Sequence, residues 1–205
     1  MVYLADLKIK PKIIGLVGNI CTGKKPTIRY LGRKLPIYVI PLSDYFKEAI
    51  FERKPPKTRE GYTAKVLEMT KVEGQTWISQ RIEGDIPIEL GKVLVIDNFR
   101  VFYDIGYMSE NYGAYFIGLK ADEDTLVKRV LERNRDIDFN GIPEDKRTER
   151  ALEVVRFEDA AFNFEKMFRK IKRLERRYVI DTSGQTDCRH LHSELEKALV
   201  KFGLI

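Results

Sequence analysis

The sequence predicts a three-layer α/β/α fold in which a five-stranded parallel sheet is covered by helices on both faces. Five short apolar runs alternate with stretches whose apolar residues recur at helical spacing, an alternation that is typical of parallel sheets. The length of 205 residues suits one domain with a sizeable core, and no long linker divides the chain. The predicted strands are residues 13–17, 37–40, 93–96, 114–119 and 178–180.

The first apolar run ends in a segment of the form G-x-x-x-x-G-K. Glycines in such a loop let successive backbone N–H groups point at phosphate oxygens, and a helix that begins at the lysine adds the positive end of its dipole. The lysine ammonium reaches the β- and γ-phosphates. The segment therefore predicts a Walker A phosphate loop, with an ordinary glycine turn as the alternative. Its cofactor-binding residues are Gly18, Asn19, Ile20, Cys21, Thr22, Gly23 and Lys24.

The residue after this lysine departs from the Walker A pattern, in which a Ser or Thr hydroxyl binds Mg²⁺. Lys25 stands there, and an ammonium has no lone pair with which to coordinate a metal. Thr27 is a poor substitute because two helical residues rotate its side chain by about 200°. Two outcomes remain open for Lys25 within the cofactor site. It turns outward and leaves Mg²⁺ to phosphates, water and a carboxylate, or its charge partly replaces the metal.

A helical insert lies between the second and third predicted strands, at about residues 43–84. Ser43 is a candidate N-cap for its first helix, and Gly74 is expected to separate two later helices. Arginine and aromatic side chains in this insert can bind the phosphate and the base of an acceptor. The substrate-binding candidates are Arg59, Tyr62, Trp77 and Arg81, although Trp77 is more typical of a core position.

Two carboxylates follow predicted strands at the edge where ligands bind in a parallel sheet. Asp97 ends the third run in a Walker B-like pattern, from which it can hold Mg²⁺ directly or through water. Asp44 follows the second strand, where it can accept the proton of an acceptor hydroxyl or orient that hydroxyl. For both residues, capping of a turn or helix is the structural alternative.

A helix predicted from residue 121 to residue 134 leads into a polar loop, and we place a lid at about residues 135–148. Arg129, Arg133 and Arg135 flank this loop, where guanidinium groups can stabilise charge on a transferring phosphoryl group. Surface ion pairing is the alternative for each arginine. Two long helical stretches to about residue 176, the fifth strand and a helix at about residues 187–202 complete the chain.

The formal net charge of +6 favours anionic partners, either phosphorylated small molecules or nucleic acid. The most basic segment, residues 166–177, is interpreted as a solvated helix face because no nucleic-acid-binding motif accompanies it, so nucleic acid is not an expected partner. No apolar run of about 18 residues, signal-peptide layout or disulfide framework is present, which predicts a cytoplasmic protein with no membrane partner. His190 and His192 would lie about 200° apart on a helix, so no metal site is expected there.

With these motifs assembled, the chain resembles the P-loop nucleoside monophosphate kinase superfamily, in particular its dephospho-CoA kinase-like and deoxynucleoside monophosphate kinase-like members. The resemblance implies a P-loop NTPase fold with sheet order 2-3-1-4-5 and transfer of the γ-phosphoryl group of ATP, with Mg²⁺, to a small acceptor. It also implies an acceptor-side role for Arg100 and an adenine-side loop at Ser183 and Gly184. The residues that carry it are 15–24, 43–46, 58–60, 73–77, 95–100, 126–135 and 178–184.

The leading hypothesis is an ATP-dependent phosphotransferase whose acceptor is a nucleoside or deoxynucleoside monophosphate, or dephospho-CoA. Lys24 and the lid arginines would supply charge, Asp97 would hold the metal, and Asp44 would manage an acceptor hydroxyl. The alternative is a nucleotide-binding regulatory or interaction module without turnover, which Lys25 favours. Nucleic-acid binding through the basic segment is a third hypothesis that rests on charge alone. The acceptor, the choice of ATP over GTP and the oligomeric state stay open.

Overall fold

A computed structural model of the chain describes residues 3, 4, 7, 10–49, 56, 58–85, 91–185 and 187–205. Its five strands form one parallel sheet in the order β2-β3-β1-β4-β5, which confirms the fold class and the sheet order expected from the sequence. The strands are β1 (Ile13–Val17), β2 (Ile37–Pro41), β3 (Val93–Phe99), β4 (Tyr115–Lys120) and β5 (Arg177–Asp181).

The central strand β1 is buried along its whole length because helices cover both faces of the sheet. Ile13 and Val17 pack into one core, whereas Ile14 and Leu16 pack into the other, as the two-residue period of a strand requires. Gly15 has no room for a side chain, since a Cβ there would lie 2.6 Å from Phe116 Cε1. This close packing holds the strand that leads into the phosphate loop.

Helices form the two outer layers. The helices α1 (Lys24–Lys34) and α10 (Arg189–Lys201) contribute to the core on one face of the sheet. The opposite face is covered by α5 (Phe102–Tyr112), α9 (Phe164–Ile171) and the insert helices α2 (Leu42–Ala49), α3 (Arg59–Val72) and α4 (Trp77–Asp85). Within the described part of the chain, no helix combines the length and the apolar character needed to cross a bilayer.

A third, smaller core lies at the lid. It joins α6 (Glu123–Arg133), the four-residue helix α7 (Asp136–Phe139) and α8 (Arg147–Phe162), and it includes Ile20 of the phosphate loop. The lid was predicted to begin with a polar loop, and this is wrong in detail because α7 and a 3-10 helix at Glu144–Lys146 form there. Burial of Phe139 against α6 and α8 orders a stretch whose sequence is otherwise polar.

Other boundaries also differ from the sequence predictions. Helix α5 was not predicted, since Gly106 and several aromatic residues weaken its local helical signal, yet Ile105 and Met108 bury against the sheet. Helix α2 begins at Leu42, so Ser43 lies in the first turn and is not the N-cap. Helix α9 ends at Ile171, several residues before the predicted end. The insert helices are separated at Gly74, whose φ is 100°, as expected.

A buried carboxylate links the insert to α5. Asp104 and Ser79 are both fully buried, and Asp104 Oδ1 accepts a hydrogen bond from the Ser79 backbone N–H at 2.8 Å, near the start of α4. Asp104 Oδ2 and Ser79 Oγ have no hydrogen-bond partner within the described residues. Burial raises the pKa of Asp104 to about 7, although the hydrogen bond from the Ser79 backbone N–H opposes this shift.

We expect Asp104→Asn to stabilise the protein at pH 8 by on the order of 1–3 kcal/mol. The native state holds a proton on Asp104 that the unfolded chain loses near pH 4, so this residue's contribution to stability falls as pH rises from about 4 through 7. Asparagine keeps a carbonyl acceptor for Ser79 without the charge. Urea unfolding at pH 5 and pH 8 measures the effect, with the exposed Asp124→Asn as control. An equal wild-type-to-variant difference at both pH values would contradict this explanation.

Candidate active site

A cleft of about 1120 Å³ opens where the segments after β1, β2, β3 and β5 meet. This is the edge of a parallel sheet at which ligands bind, and the volume is sufficient for a nucleotide and a small acceptor. Most of the residues predicted from the sequence therefore come together in space. The predicted site residues that line the cleft are Ile20, Cys21, Thr22, Gly23, Lys24, Lys25, Asp44, Arg59, Tyr62, Asp97, Arg100, Arg129, Arg133 and Arg135.

The loop between β1 and α1 has the backbone of a phosphate cradle. Cys21 and Gly23 adopt positive φ values of 59° and 101°, which turn the chain sharply within three residues. A side chain at Gly18 is excluded because its Cβ would lie 2.5 Å from the backbone oxygen of Leu119. Asn19 ties the loop to α8 through a hydrogen bond from Nδ2 to Val155 O at 3.4 Å. Gly18 and Asn19 thus support the loop on the side away from the cleft and do not line the cleft.

The Lys24 ammonium lies inside this loop. Its Nζ donates to Gly18 O at 2.8 Å and to Asn19 O at 2.6 Å. Burial, reinforced by the positive charge of Arg100, lowers the pKa of Lys24 to about 8, although Asp97 and Glu158 oppose the shift. The cation is therefore held at the centre of the loop, where a phosphate would meet it.

Asp97 lies within β3 and faces the same cleft. Its Oδ1 is buried and has no hydrogen-bond partner in the described structure, and burial raises its pKa against the opposing effects of Lys24, Arg100 and Lys25. The described residues contain no group of three or more metal-ligating side chains. One free carboxylate oxygen beside a phosphate loop nevertheless fits Mg²⁺, which is usually held by one or two carboxylates together with phosphates and water.

Two cleft arginines share a buried carboxylate. Glu158 of α8 is fully buried, and its Oε1 accepts from Arg59 Nη1 at 2.8 Å and from Arg100 Nη1 at 2.9 Å. Burial alone would raise the pKa of Glu158, but the charges and hydrogen bonds of Arg100 and Arg59 lower it to about 2. Arg59 was predicted to contact the acceptor. In the structure it lines the cleft and forms a buried ion pair with Glu158. The Arg100 guanidinium lies 5.9 Å from the ring of Tyr62, which also lines the cleft.

The lid is attached to the insert by a second buried carboxylate. Asp138 of α7 accepts from Arg59 Nε at 2.6 Å through Oδ1 and from Arg133 Nη2 at 2.8 Å through Oδ2. Arg135, at the start of the lid, is exposed and lines the cleft. Burial and the charges of Arg133 and Arg59 lower its pKa, so an anion beside it would relieve repulsion among the three cations.

Arg129 links the phosphate loop to the segment that follows β5. Its Nη2 donates to Thr182 O at 2.7 Å and to Gln185 O at 3.0 Å, and its Nη1 donates to Cys21 O at 3.3 Å. Thr182 and Gln185 line the cleft, whereas the predicted Ser183 and Gly184 do not. These two contact α6 instead, through Asp122 N to Ser183 Oγ at 2.8 Å and Gly184 N to Thr125 Oγ1 at 2.9 Å.

Two other predicted substrate contacts lie away from the cleft. Trp77 is fully buried, donates from Nε1 to Thr70 Oγ1 at 3.0 Å and packs 5.2 Å from the ring of Phe46. Arg81 pairs with Glu73, with Nη2 2.9 Å from Oε1. Neither side chain lines the cleft. Both stabilise the insert, because the apolar spacing that put Trp77 on a helix face turns that face inward.

Known proteins resemble this chain in fold and not in sequence. No protein-family model matches it, and no curated protein matches it in sequence. A crystal structure of shikimate kinase from Bacteroides thetaiotaomicron aligns with 94% of this chain and 99% of its own, at 17% identity and a TM-score of 0.55. A sugar kinase from Janibacter sp. HTCC2649 aligns over 95% of each chain, at 12% identity and a TM-score of 0.52. The chain has a P-loop kinase fold. Identities this low show the shared fold and leave the reaction to be argued from the site.

Three residues of this P-loop kinase fold were missed by the sequence reasoning. Glu158 and Asp138 lie in segments interpreted as an ordinary helix and a polar loop, and only folding brings them against arginines from the insert and β3. Asn98 has a φ of 76°, and when its amide is oriented to donate to Gly18 O its Oδ1 accepts from Arg100 Nε at 2.8 Å. The adjacency of Asn98 to Asp97 was the one local signal available.

The residue after the Walker A lysine is exposed in this P-loop kinase fold. Lys25 lines the cleft, and its charge opposes the rise that burial causes in the pKa of Asp97. Thr27 is not an alternative metal ligand, because its side chain is buried and its Oγ1 donates to Gly23 O at 3.0 Å. Thr22 is likewise fully buried, and its hydroxyl donates to Asn19 O at 3.0 Å.

We expect Lys25→Ser to lower the Mg²⁺ concentration needed for half-maximal ATP binding by about tenfold, roughly 1.4 kcal/mol. The kcat should stay constant or rise. The substitution removes a cation that repels the metal and restores a hydroxyl ligand. Calorimetric titration of ATP at several Mg²⁺ concentrations gives the metal dependence without turnover, and Arg29→Ser, on the exposed side of α1, is the matched control. Loss of an existing activity in Lys25→Ser would mean that the lysine itself takes part in the reaction.

Proposed function

We propose that this protein is an ATP-dependent phosphotransferase that moves the γ-phosphoryl group of ATP to a small nucleotide-like acceptor. The observation that carries the proposal is the convergence of Lys24, Asp97 and Arg100 in one cleft. Each of the three influences the charge state of another, since Arg100 lowers the pKa of Lys24 and both cations oppose the rise in the pKa of Asp97. Phosphoryl transfer needs a cation that binds the phosphates, a carboxylate that binds the metal and a guanidinium group.

The nucleotide side of the cleft is assigned to the phosphate loop and the lid. Lys24 would bind the β- and γ-phosphates, and Asp97 would hold Mg²⁺, whose charge neutralises charge that develops on the phosphate oxygens. Arg135 lines the cleft and is repelled by Arg133 and Arg59, so we assign it to pair with the transferring phosphoryl group, to which Arg133 adds positive charge from α6. Arg129 keeps the segment around Thr182 and Gln185 in contact with the phosphate loop.

The acceptor side is assigned to Asp44, Tyr62, Arg59 and Arg100. Asp44 contributes to raising the pKa of both Asp97 and Tyr62, which places its charge within range of both residues. It would take the proton of an acceptor hydroxyl, as in a dephospho-CoA-like acceptor. An acceptor that is itself a phosphate, such as a nucleoside monophosphate, needs no base, and Arg59 and Arg100 would then position the anion.

A second candidate function is nucleotide binding without turnover, in a regulatory or interaction module. Lys25 is the observation that favours it, because it stands where the usual Ser or Thr metal ligand would be and the nearby side chains of Thr22 and Thr27 are fully buried. Both functions require ATP in the cleft and differ only in whether the γ-phosphate is transferred.

The test is ADP formation from ATP and Mg²⁺ by the full chain with a panel of acceptors. The panel contains nucleoside monophosphates, deoxynucleoside monophosphates and dephospho-CoA, with shikimate and a hexose as alcohols without a nucleotide. Lys24→Ala, purified in the same way, identifies any activity from a contaminating kinase. Consumption of ATP with one nucleotide-like acceptor would support the proposal. Measurable ATP binding without consumption for any acceptor would favour the non-catalytic module, and activity with the simple alcohols alone would replace the nucleotide-like acceptor.

A further inference from the structure

The chain's net positive charge is concentrated on a surface away from the cleft. Residues 166–177 contain seven basic residues and one acidic residue, a net charge of +6, which equals the formal net charge of the whole chain. The remainder of the chain is therefore balanced. None of the residues that line the cleft belongs to α5, α9 or this basic segment. ATP binding in the cleft leaves the concentration of charge unexplained.

Cations of this segment lie beside both ends of α5. Lys166 Nζ and Lys170 Nζ lie 4.6 and 5.1 Å from the ring centre of Phe102. At the other end of α5, Arg176 Nη1 donates to Gly113 O at 2.9 Å, and its guanidinium lies 5.2 Å from the ring centre of Tyr115. We call this surface, formed by Phe102, Tyr103, Tyr112, Lys10, Lys166, Lys170 and Arg176, the basic aromatic face; the ring of Tyr115 packs against Phe202 on the other side of the sheet.

Two details show that the cations run close to the α5 backbone. Gly106 leaves the space that Lys170 occupies, since a Cβ at Gly106 would lie 2.7 Å from Lys170 Nζ. Lys10 Nζ lies 4.6 Å from the ring centre of Tyr112 and donates to the backbone oxygen of Asn111. Cations and aromatic rings therefore alternate along a helix of 11 residues, a length of about 16 Å.

Most of this charge has no ion-pair partner within the described part of the chain. Acidic residues near the face include Glu83, which interacts with Tyr112, and Glu110, Glu165 and Glu175. Among the described residues, the one ion pair that any of them makes with the segment is Glu165 with Arg169, at 3.8 Å. Tyr103 packs edge-on against Phe102 at 5.3 Å, and 44% of Tyr103 is exposed. It is one of four large hydrophobic residues exposed in the described chain and the one on this face.

We propose that the basic aromatic face binds single-stranded nucleic acid. Cations that have no ion-pair partner among the described residues suit a phosphate backbone, and an exposed tyrosine beside a second ring offers a surface on which a base stacks. The sequence supported nucleic-acid binding by charge alone, whereas the structure adds aromatic rings beside the cations, which distinguishes this surface from an ordinary solvated helix. An anionic membrane is the less suitable partner, because Tyr103 carries a hydroxyl and no exposed aliphatic residue accompanies it here.

The experiment measures fluorescence anisotropy of labelled 12-nucleotide oligouridylate and oligothymidylate with the full chain. We expect Lys166→Ala/Lys170→Ala/Arg176→Ala to weaken binding at least tenfold at 50 mM salt. The slope of log K against log salt concentration should become shallower by about 2, since each lost single-strand phosphate contact removes roughly 0.7. The matched control Arg29→Ala/Lys128→Ala/Lys146→Ala removes three exposed cations elsewhere and should change affinity less than twofold.

Stacking is tested separately from charge. Tyr103→Ala should weaken binding at least fivefold, whereas Tyr103→Phe, which keeps the ring, should bind as the wild type does. Photocrosslinking of the wild-type protein to oligouridylate, followed by mass spectrometry, should place the adduct on Tyr103 or its neighbours in α5. This measurement does not depend on the folding of any variant. Saturating ATP with Mg²⁺ should leave oligonucleotide binding unchanged, so failure of the proposed kinase function and failure of this proposal are distinguishable.

Several results would overturn the proposal. They are equal losses in the two triple variants, equal binding of a duplex of the same length, displacement by ATP, or a photoadduct outside the basic aromatic face. Binding to phosphatidylserine-containing vesicles without binding to either oligonucleotide would assign the face to a membrane instead.

Discussion

Replacing Lys24 with alanine should weaken ATP binding by on the order of 1–3 kcal/mol, roughly five- to 150-fold, and lower kcat by about 10²- to 10³-fold. The ammonium is held by Gly18 O and Asn19 O at the centre of the phosphate loop, and alanine leaves neither a cation nor a donor there. Calorimetry and initial rates measure the two effects. Unchanged ATP affinity in a folded Lys24→Ala protein would mean that ATP does not bind in this loop.

The pH dependence of ATP binding provides a sharper test of the same lysine. Because the pKa of Lys24 is lowered to about 8 in the free protein, the wild-type affinity for ATP should fall as pH rises from 7 to 9. Lys24→Arg carries a fixed charge over this range and should lose the dependence, even if its affinity is lower overall. A wild-type affinity that stays constant to pH 9 would mean that the pKa of Lys24 in the ATP-free protein lies well above 8.

Replacing Glu158 with glutamine should destabilise the protein by about 3–5 kcal/mol, the usual effect of removing one partner from a buried ion pair. Glu158 Oε1 accepts from both Arg59 and Arg100, and without the carboxylate these two largely buried guanidinium groups face each other with Asp138 as the remaining buried anion. For a chain of this length, the midpoint of thermal unfolding should fall by roughly 6–20 °C.

The matched control for this prediction lies on the same helix. Glu153→Gln makes the same change at an exposed position, where Glu153 pairs with Arg150 at 3.3 Å, and should cost at most about 1 kcal/mol. The pKa of Glu158 is lowered to about 2, so its stabilisation is present above about pH 4 and is lost as pH falls towards 2. Equal effects of the two substitutions on urea unfolding would show that the buried network does not stabilise the fold.

The Asp138 link also changes how the acceptor prediction for Arg59 is tested. Arg59→Ala would leave Asp138 and Glu158 buried with fewer partners, so a loss of stability would accompany any rise in the KM for the acceptor. Arg59→Lys keeps the charge but gives up the planar fork that reaches both carboxylates. An acceptor role for Arg59 therefore has to be read from the KM of a variant whose unfolding is measured in parallel.

Local sequence determined the sheet and the phosphate loop. Apolar runs of three to six residues between helical patterns identified the strands, because a parallel strand buried on both faces has to be apolar along its length. The spacing of Gly18, Gly23 and Lys24 identified the loop because its conformation depends on residues next to one another in the chain. Backbone turns of this kind leave a signature in the residue types themselves.

Only the tertiary structure decided how the charged residues are used. Arg59 and Arg100 were identified as cations near a site, but their partners Glu158 and Asp138 come from helices at least 58 residues further along the chain. It also placed Trp77 in the core and aligned Lys166, Lys170 and Arg176 with the rings along α5. Long side chains pair with whatever folding brings within a few ångströms, and sequence spacing does not encode those distances beyond one helical turn or one strand pair.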